Sequence, residues 1–513
     1  MRDIKKILAV ILAMTFVAVP VSSCSKNKKT GKLDFEESQE EEDNKGSYDW
    51  LSREPTANKP HIDPPADITG TEIVWLSDYD LNPTADGQRS VALSLFEDVY
   101  GGKVKYVHTS VEDRFTTLSA MILAGDEVDM FEYDRSAFPD GAFRNQFEAL
   151  DPYFPSLEIQ NEIWDDMLGV IESFKYNGKH YVIPYDVTNS TVLTYSRTMI
   201  KNNNLKDPYE LYKQGKWDWD SFMSIMESFH QKTNGIGING LCGGAILHSS
   251  GHTIVNYRNG KFYNNIISQP IKEAEMFMQE ISNKNLYSSY RNTSFPTGAN
   301  TLFYASPEWT VGASNVKSTG MDFMVVPFPK CPDTEEYFNT YDYSAKMLVK
   351  NSTKGDAVAT YIKCERAVIV QEDYKEPAKA YATAPKVNGF GVTTSQLTAE
   401  QYDALQDFKD LTKFTPVVDF AYGMGASMYT TEDSYGIVDR LERDMLVTGG
   451  TEKNWIDLRN TYLAMINDEV DRFNGVVKQP PTEEPTTSSD SQETSETSVA
   501  EQSTTEIEDT TSE

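Results

Sequence analysis

The chain has 513 residues, with 47 Lys and Arg against 78 Asp and Glu, for a formal net charge of −31. That length accommodates two or three domains, and that charge repels phosphate backbones and anionic headgroups, which argues against a nucleic-acid-binding role. Aromatic residues make up 12% of the chain, including 28 Tyr, enough to build both a core and the flat ring surfaces on which sugar faces pack.

Taken from the N-terminus, Arg2, Lys5 and Lys6 precede the apolar run Ile7–Val21. The run is shorter than the roughly 20 residues a membrane span requires, and it exits through Val21-Ser22-Ser23-Cys24, the pattern of a secretory signal. The Cys directly after the small residues resembles a bacterial lipoprotein signal. That resemblance implies removal of residues 1–23, lipidation of Cys24 and an anchor on the extracytoplasmic face of the cell membrane. Residues 24–67 follow with DFEESQEEED at Asp34–Asp43, a composition that predicts a disordered acidic tether.

The ordered body is expected over residues 68–477. Thr71–Leu76, Val104–Thr109 and Val128–Phe131 read as strands, alternating with helices over Ser90–Tyr100 and Glu112–Ala124. Gly125 is placed as the glycine that ends the second helix. This rhythm predicts an α/β domain with a largely parallel sheet. Further helices are expected over Ser221–Lys232, with Asp220 as its cap, and over Pro270–Asn283, Lys354–Val370, Thr398–Lys413 and Trp455–Asn474. Trp217 and Trp219 read as core residues. Residues 478–513 hold ten acidic residues of the tail, no Lys or Arg after Lys478, and mostly Pro, Thr and Ser otherwise, which predicts disorder. Of four Cys, Cys242, Cys331 and Cys364 remain once Cys24 is assigned to lipid. They are expected as isolated buried thiols, one disulfide being the most they can form.

Seven segments then fall in a telling order: FTTLSAMILAGDEVDMFEYD at Phe115–Asp134, FEALDPY at Phe147–Tyr153, YNGKHYVIPY at Tyr176–Tyr185, VLTYS at Val192–Ser196, GKWDWDSF at Gly215–Phe222, LFYASPEW at Leu302–Trp309 and MVVPFPK at Met324–Lys330. Their order and spacing resemble the extracellular solute-binding proteins of bacterial ABC importers, sugar-binding type, with Val128 where that family usually has Pro. The resemblance covers about residues 68–474. It implies two α/β lobes in the periplasmic-binding-protein-like fold, joined by crossover hinges around a ligand cleft. Lobe one is expected from about residues 68–186 plus 329–385, and lobe two from about 187–328 plus 386–477, with a crossover near Pro327–Pro329. It also implies a small-molecule solute, an oligosaccharide by preference, delivered to membrane permease subunits without cofactor or catalysis.

Open α/β sheets bind ligands beyond the carboxyl ends of their strands. Applied here, Asp78, Tyr79 and Asp80, then Tyr133 and Asp134, then Tyr185 and Asp186 become candidates for the first lobe, and Trp309, with Glu308 beside it, for the second. Tyr341 and Tyr343 follow the second crossover. Rings suit the C–H faces of a sugar, and carboxylates accept strongly from its hydroxyls. Asp78, Asp80 and Asp134 equally suit loop caps, and Trp75, Tyr133 and Tyr185 equally suit core positions. Cys242, His248 and His252 in LCGGAILHSSGH are spaced for a metal, but Ser249-Ser250-Gly251 makes a poor helix and no fourth ligand is near; no metal is expected. The alternative from a different class is a secreted carbohydrate-active hydrolase using paired carboxylates.

Overall fold

The computed structural model describes residues 66–82, 89–288, 295, 300–317, 320–388, 390–429, 436–447 and 454–476. The signal with Cys24, the tether up to residue 65 and the tail lie outside the described residues.

Ile73, Val74, Trp75 and Leu76 are all buried, as a continuous apolar run on a two-sided parallel sheet should be. Their strand, Glu72–Ser77, pairs in parallel with Lys103–His108 on one side and Met130–Glu132 on the other. The intervening helix Arg114–Ala124 stops at Gly125, whose φ of 74° is the left-handed conformation that glycine adopts without strain. The helix from Val91 changes at Leu95 to a π-helical turn ending at Val99. The expected β-α-β-α-β order therefore stands. The sheet's fourth strand, Lys346–Leu348, comes from far along the chain and runs antiparallel to Met130–Glu132.

A second sheet has the order Tyr287–Ser288, Ile236–Gly240, Thr301–Ser306, Val192–Ser196 and Phe323–Val326. The helix Trp219–Thr233 packs beside Ile236–Gly240. Its cap is Asp218 rather than the expected Asp220. Asp218 has extended backbone and its carboxylate accepts from Ser221 N, while Asp220 falls inside the first turn. Trp217 and Trp219 are buried, and their indole N–H groups donate to Pro327 O at 2.8 Å and Ser249 Oγ at 3.0 Å.

The sheets are bridged by two antiparallel strands, Asp186–Asn189 and Tyr341–Ser344. The first crossing runs through Asp186–Asn189. The second comes later than Pro327–Pro329, because that stretch is tied to the second lobe: Lys330 N donates to Trp217 O and Trp219 N to Lys330 O. The helix Gly355–Val370 packs on the first lobe, where Lys363 pairs with Glu158 at 2.9 Å and Arg366 donates to Ile163 O and Tyr185 O. Extended backbone at Gln371 ends it. The next helix, Glu372–Thr383, is joined through Lys379 to Asp403 on the helix Ala399–Asp407. That last helix is shorter than the expected Thr398–Lys413. Asp410 caps a turn at Thr412, and Phe414–Pro416 becomes a strand beside Tyr337–Asn339. The helix Trp455–Phe473 closes the described chain nearly as expected.

Cys242, Cys331 and Cys364 are buried and unpaired, and burial pushes the thiols of Cys242 and Cys364 up to about 12. Among the described residues no helix is long and apolar enough to cross a membrane.

Candidate ligand site

Between the lobes, against the crossing strands, lies a small, partly open cavity. The first lobe contributes Tyr133, Arg135, Phe138 and Phe174, the crossing segment contributes Thr340, Tyr341 and Tyr343, and the second lobe contributes His248, Val417, Val418, Asp419, Phe420 and Tyr422.

Strand alternation explains the floor. Tyr341 and Tyr343 are two apart and point to one face, while Asp342 points to the other. Both tyrosines are buried and Asp342 is exposed, where it receives Arg135 Nη2 at 2.7 Å. Phe174 meets Tyr133 and Tyr343 edge-on, with centroids 5.4 and 5.1 Å away. Tyr341 donates its hydroxyl to Phe408 O at 2.6 Å. The Tyr343 hydroxyl is buried and has no hydrogen-bond partner. Burial holds its pKa well above the usual phenol value, so it stays protonated and is able both to donate and to accept.

The polar side chains around the cavity already have protein partners. Arg135 pairs with Asp342 and lies over the Tyr422 ring, 4.9 Å from its centroid. His248 is held through Nε2 by Asp419 at 3.2 Å and through Nδ1 by Thr340 Oγ1 at 3.0 Å. Asp419 also accepts from the backbone N–H groups of Ile254, Val255 and Ala421. A ring-lined cavity whose charged side chains already have protein partners, with one unmet hydroxyl, suits a hydroxylated solute.

Of the residues singled out from sequence, Tyr133, Tyr341 and Tyr343 are brought together here. The others are placed elsewhere. Asp134 pairs with Arg114 and caps Ser136 N at 2.6 Å, and Asp80 accepts from Asn82 N at 2.9 Å, so both act as local loop caps. Asp78 is partly exposed and does not line the cavity. The Tyr79 hydroxyl donates to Glu132. The Lys346 ammonium, 3.0 Å from Glu132, lies over the rings of Trp75, Tyr79 and Tyr185 at 4.9, 6.0 and 5.7 Å. Tyr79, Tyr185 and Trp75 therefore surround the buried Lys346 ammonium in a cation–π arrangement instead of facing the cavity.

Asp186 joins a second charged group at the hinge. Burial raises its carboxyl pKa, and Lys409 opposes that rise. Glu308 accepts from Asn189 N at 3.1 Å and Asn189 Nδ2 at 2.8 Å and faces Lys409 at 3.3 Å, so it serves the crossing strand and not the cleft. Trp309 follows in the same short turn, partly buried and outside the cavity lining.

Sequence reasoning missed Arg135, Phe138, Phe174, His248, Asp419, Phe420 and Tyr422. His248 was noticed only for its spacing to His252; in the fold its two nitrogens are occupied by Asp419 and Thr340, and His252 Nδ1 lies 3.0 Å from Ser250 O. Nothing local marks Asp419, whose partner His248 is 171 positions away.

A family model described as "Bacterial extracellular solute-binding protein" matches residues 92–382. No curated protein matches the chain. Among solved structures, the sugar-binding protein MalE from Xanthomonas citri aligns with a TM-score of 0.57 at 13% identity, over 79% of this chain and 99% of that one. An ABC substrate-binding protein from Listeria monocytogenes in complex with cycloalternan aligns with a TM-score of 0.51 at 14% identity, over 79% and 99%. UgpB from Mycobacterium tuberculosis in complex with glycerophosphocholine gives 0.53 at 14% identity, again over 79% and 99%. At these identities the likeness establishes the two-lobed fold.

Proposed function

Because the chain belongs to the bacterial extracellular solute-binding protein family, whose model spans more than half of it, we propose that it is the capture subunit of an ABC importer for a saccharide. The family places it outside the cytoplasm and among binding proteins, not enzymes. In this reading Cys24 carries the lipid anchor, the acidic segment spaces the lobes from the membrane, and the loaded protein delivers its solute to permease subunits. Closure acts as selection, since a solute that touches both lobes favours the closed form.

The observation that carries the reading is the unmet Tyr343 hydroxyl in a ring-walled cavity between the lobes. A buried hydroxyl without a partner costs about 1–3 kcal/mol, and a solute hydroxyl at that position removes the cost. Tyr133, Tyr341 and Tyr343 form the floor.

A thermal-shift screen of mono- and oligosaccharides, with each sugar checked afterwards for cleavage, tests this. A ligand at 100 times its dissociation constant stabilises by about 2.7 kcal/mol. One intact sugar should raise the melting temperature; no rise with any sugar rejects a saccharide, and cleavage revives the hydrolase. With that sugar, Tyr343→Phe should weaken binding about tenfold, or about 1.4 kcal/mol, with the fold unchanged. Trp309 lies outside the cavity lining, so Trp309→Ala should leave the affinity by calorimetry within about twofold of wild type; a loss of about 1 kcal/mol or more would return Trp309 to the site.

A further inference from the structure

The corner of the first lobe around Lys346 has the make-up of a cation-recognition site. Trp75 on the strand Glu72–Ser77, Tyr79 just past it and Tyr185 just before the crossing strand bring three rings to one ammonium, with centroids 4.9, 6.0 and 5.7 Å away. Glu132 adds a carboxylate 3.0 Å from Lys346 Nζ, and the Tyr79 hydroxyl lies 3.3 Å from the same atom. The negative faces of rings, joined by a carboxylate, attract an alkylammonium group. Tyr79 and Glu132 also lie at the carboxyl ends of two paired parallel strands, where open α/β sheets receive solutes.

The walls of this corner are held independently of the lysine side chain. Trp75 and Tyr185 are buried. Trp75 Nε1 donates to Tyr79 O at 3.1 Å, and the two rings meet edge-on at 5.7 Å. Tyr185 N donates to Ser344 O at 2.8 Å. The Tyr79 hydroxyl donates to Glu132, and burial together with that carboxylate holds its phenol pKa well above the usual value, so it stays a neutral hydroxyl. The backbone of Lys346 belongs to the strand paired with Met130–Glu132, between the buried Ala345 and Met347. The open side of the corner is formed by Tyr79 and Glu132: the Glu132 side chain is 31% exposed, against 3% for Lys346. The corner is distinct from the ring-lined cavity, since Glu132 turns to Lys346 and the next residue, Tyr133, lines the cavity.

We propose that Trp75, Tyr79, Tyr185 and Glu132 form a binding corner for an alkylammonium group which the chain fills with its own Lys346, so that Lys346 is a specificity-determining residue that bars cationic solutes from this edge of the first lobe. A solute ammonium arriving between Tyr79 and Glu132 meets a filled space and a carboxylate already paired. The inference rests on the chain being a solute-binding protein, not on a saccharide as its solute, and its test uses no sugar.

Calorimetry on the full-length protein with propylammonium, which replaces the Cγ, Cδ, Cε and Nζ atoms that Lys346→Ala removes, tests the proposal. Lys346→Ala should bind propylammonium at least about tenfold more tightly than the wild type does. 1-Propanol, of the same size and uncharged, should not compete. Adding Glu132→Gln to Lys346→Ala should lose most of the gain, and Lys346→Met, which keeps the space filled, should bind no more tightly than the wild type. If Lys346→Ala does not fold by itself, refolding from urea with propylammonium or with sodium chloride decides the question. Recovery with propylammonium alone supports the site, and no gain from propylammonium overturns it. Equal affinity in the wild type and a folded Lys346→Ala also overturns the proposal. So does 1-propanol binding as tightly as propylammonium, which would make the corner a plain apolar pocket.

Discussion

Asp419→Ala is expected to destabilise the protein by about 3–5 kcal/mol, the usual effect of removing one member of a buried, hydrogen-bonded charged group. Asp419 is buried and accepts from Ile254 N at 2.6 Å, Val255 N at 3.1 Å and Ala421 N at 3.0 Å, besides facing His248. Alanine removes all four acceptor contacts at once. It leaves three backbone N–H groups without this partner, each worth about 1–3 kcal/mol when buried and unmet. The loss also frees the His248 ring, which touches the hinge through Thr340. Thermal unfolding should show the melting temperature falling by about 5 °C. Asp419→Asn keeps an acceptor and should lose distinctly less. Equal, small losses for both variants would mean that water or another group satisfies these donors.

Glu275→Met is expected to act in the opposite direction, stabilising the protein at neutral pH by about 1–3 kcal/mol. Glu275 lies fully buried on the helix Gln269–Asn283, and neither carboxyl oxygen has a hydrogen-bond partner. Burial, reinforced by the nearby carboxylates of Glu442 and Asp444, raises its pKa well above the ordinary 4.5. In the unfolded chain the same group ionises near that ordinary value. Above it the folded state binds more protons than the unfolded state, so wild-type stability falls as pH rises, until the folded-state pKa is passed and the penalty levels off. Methionine has similar volume and no proton to lose. Urea unfolding between about pH 4 and pH 8 should therefore give a stability difference, variant minus wild type, that grows with pH. A difference constant with pH would show that Glu275 has the same pKa folded and unfolded.

Strand and helix positions were largely legible because they depend on local pattern. The apolar run ending at Leu76, the glycine after Ala124 and the amphipathic run from Trp219 report their own conformations within a few residues. Misreadings came where a short-range signal had two readings. Asp218 and Asp220 are both good caps, and only backbone conformation separates them. The stretch Ala399–Lys413 is helical in composition throughout, yet Phe414–Pro416 pairs with Tyr337–Asn339 and the helix stops at Asp407.

Of the ten candidate residues, Tyr133, Tyr341 and Tyr343 line the cavity. Tyr133 directly follows Met130–Glu132, and Tyr341 and Tyr343 lie just before Lys346–Leu348, so the pairing of those two strands brings them together. Tyr79 and Tyr185 follow strands equally well, but Lys346, distant in sequence, turns their rings toward itself. By itself the sequence determined the family, the two-lobed α/β plan and the surplus of rings, because these follow from periodicity, composition and motif order along one chain. Only the tertiary structure decided which rings face the cavity, which polar side chains find partners, and that Lys346 fills the corner between Trp75, Tyr79 and Tyr185. Those depend on pairings between residues far apart, set by packing and by burial of charge, and neither leaves a mark in the local pattern.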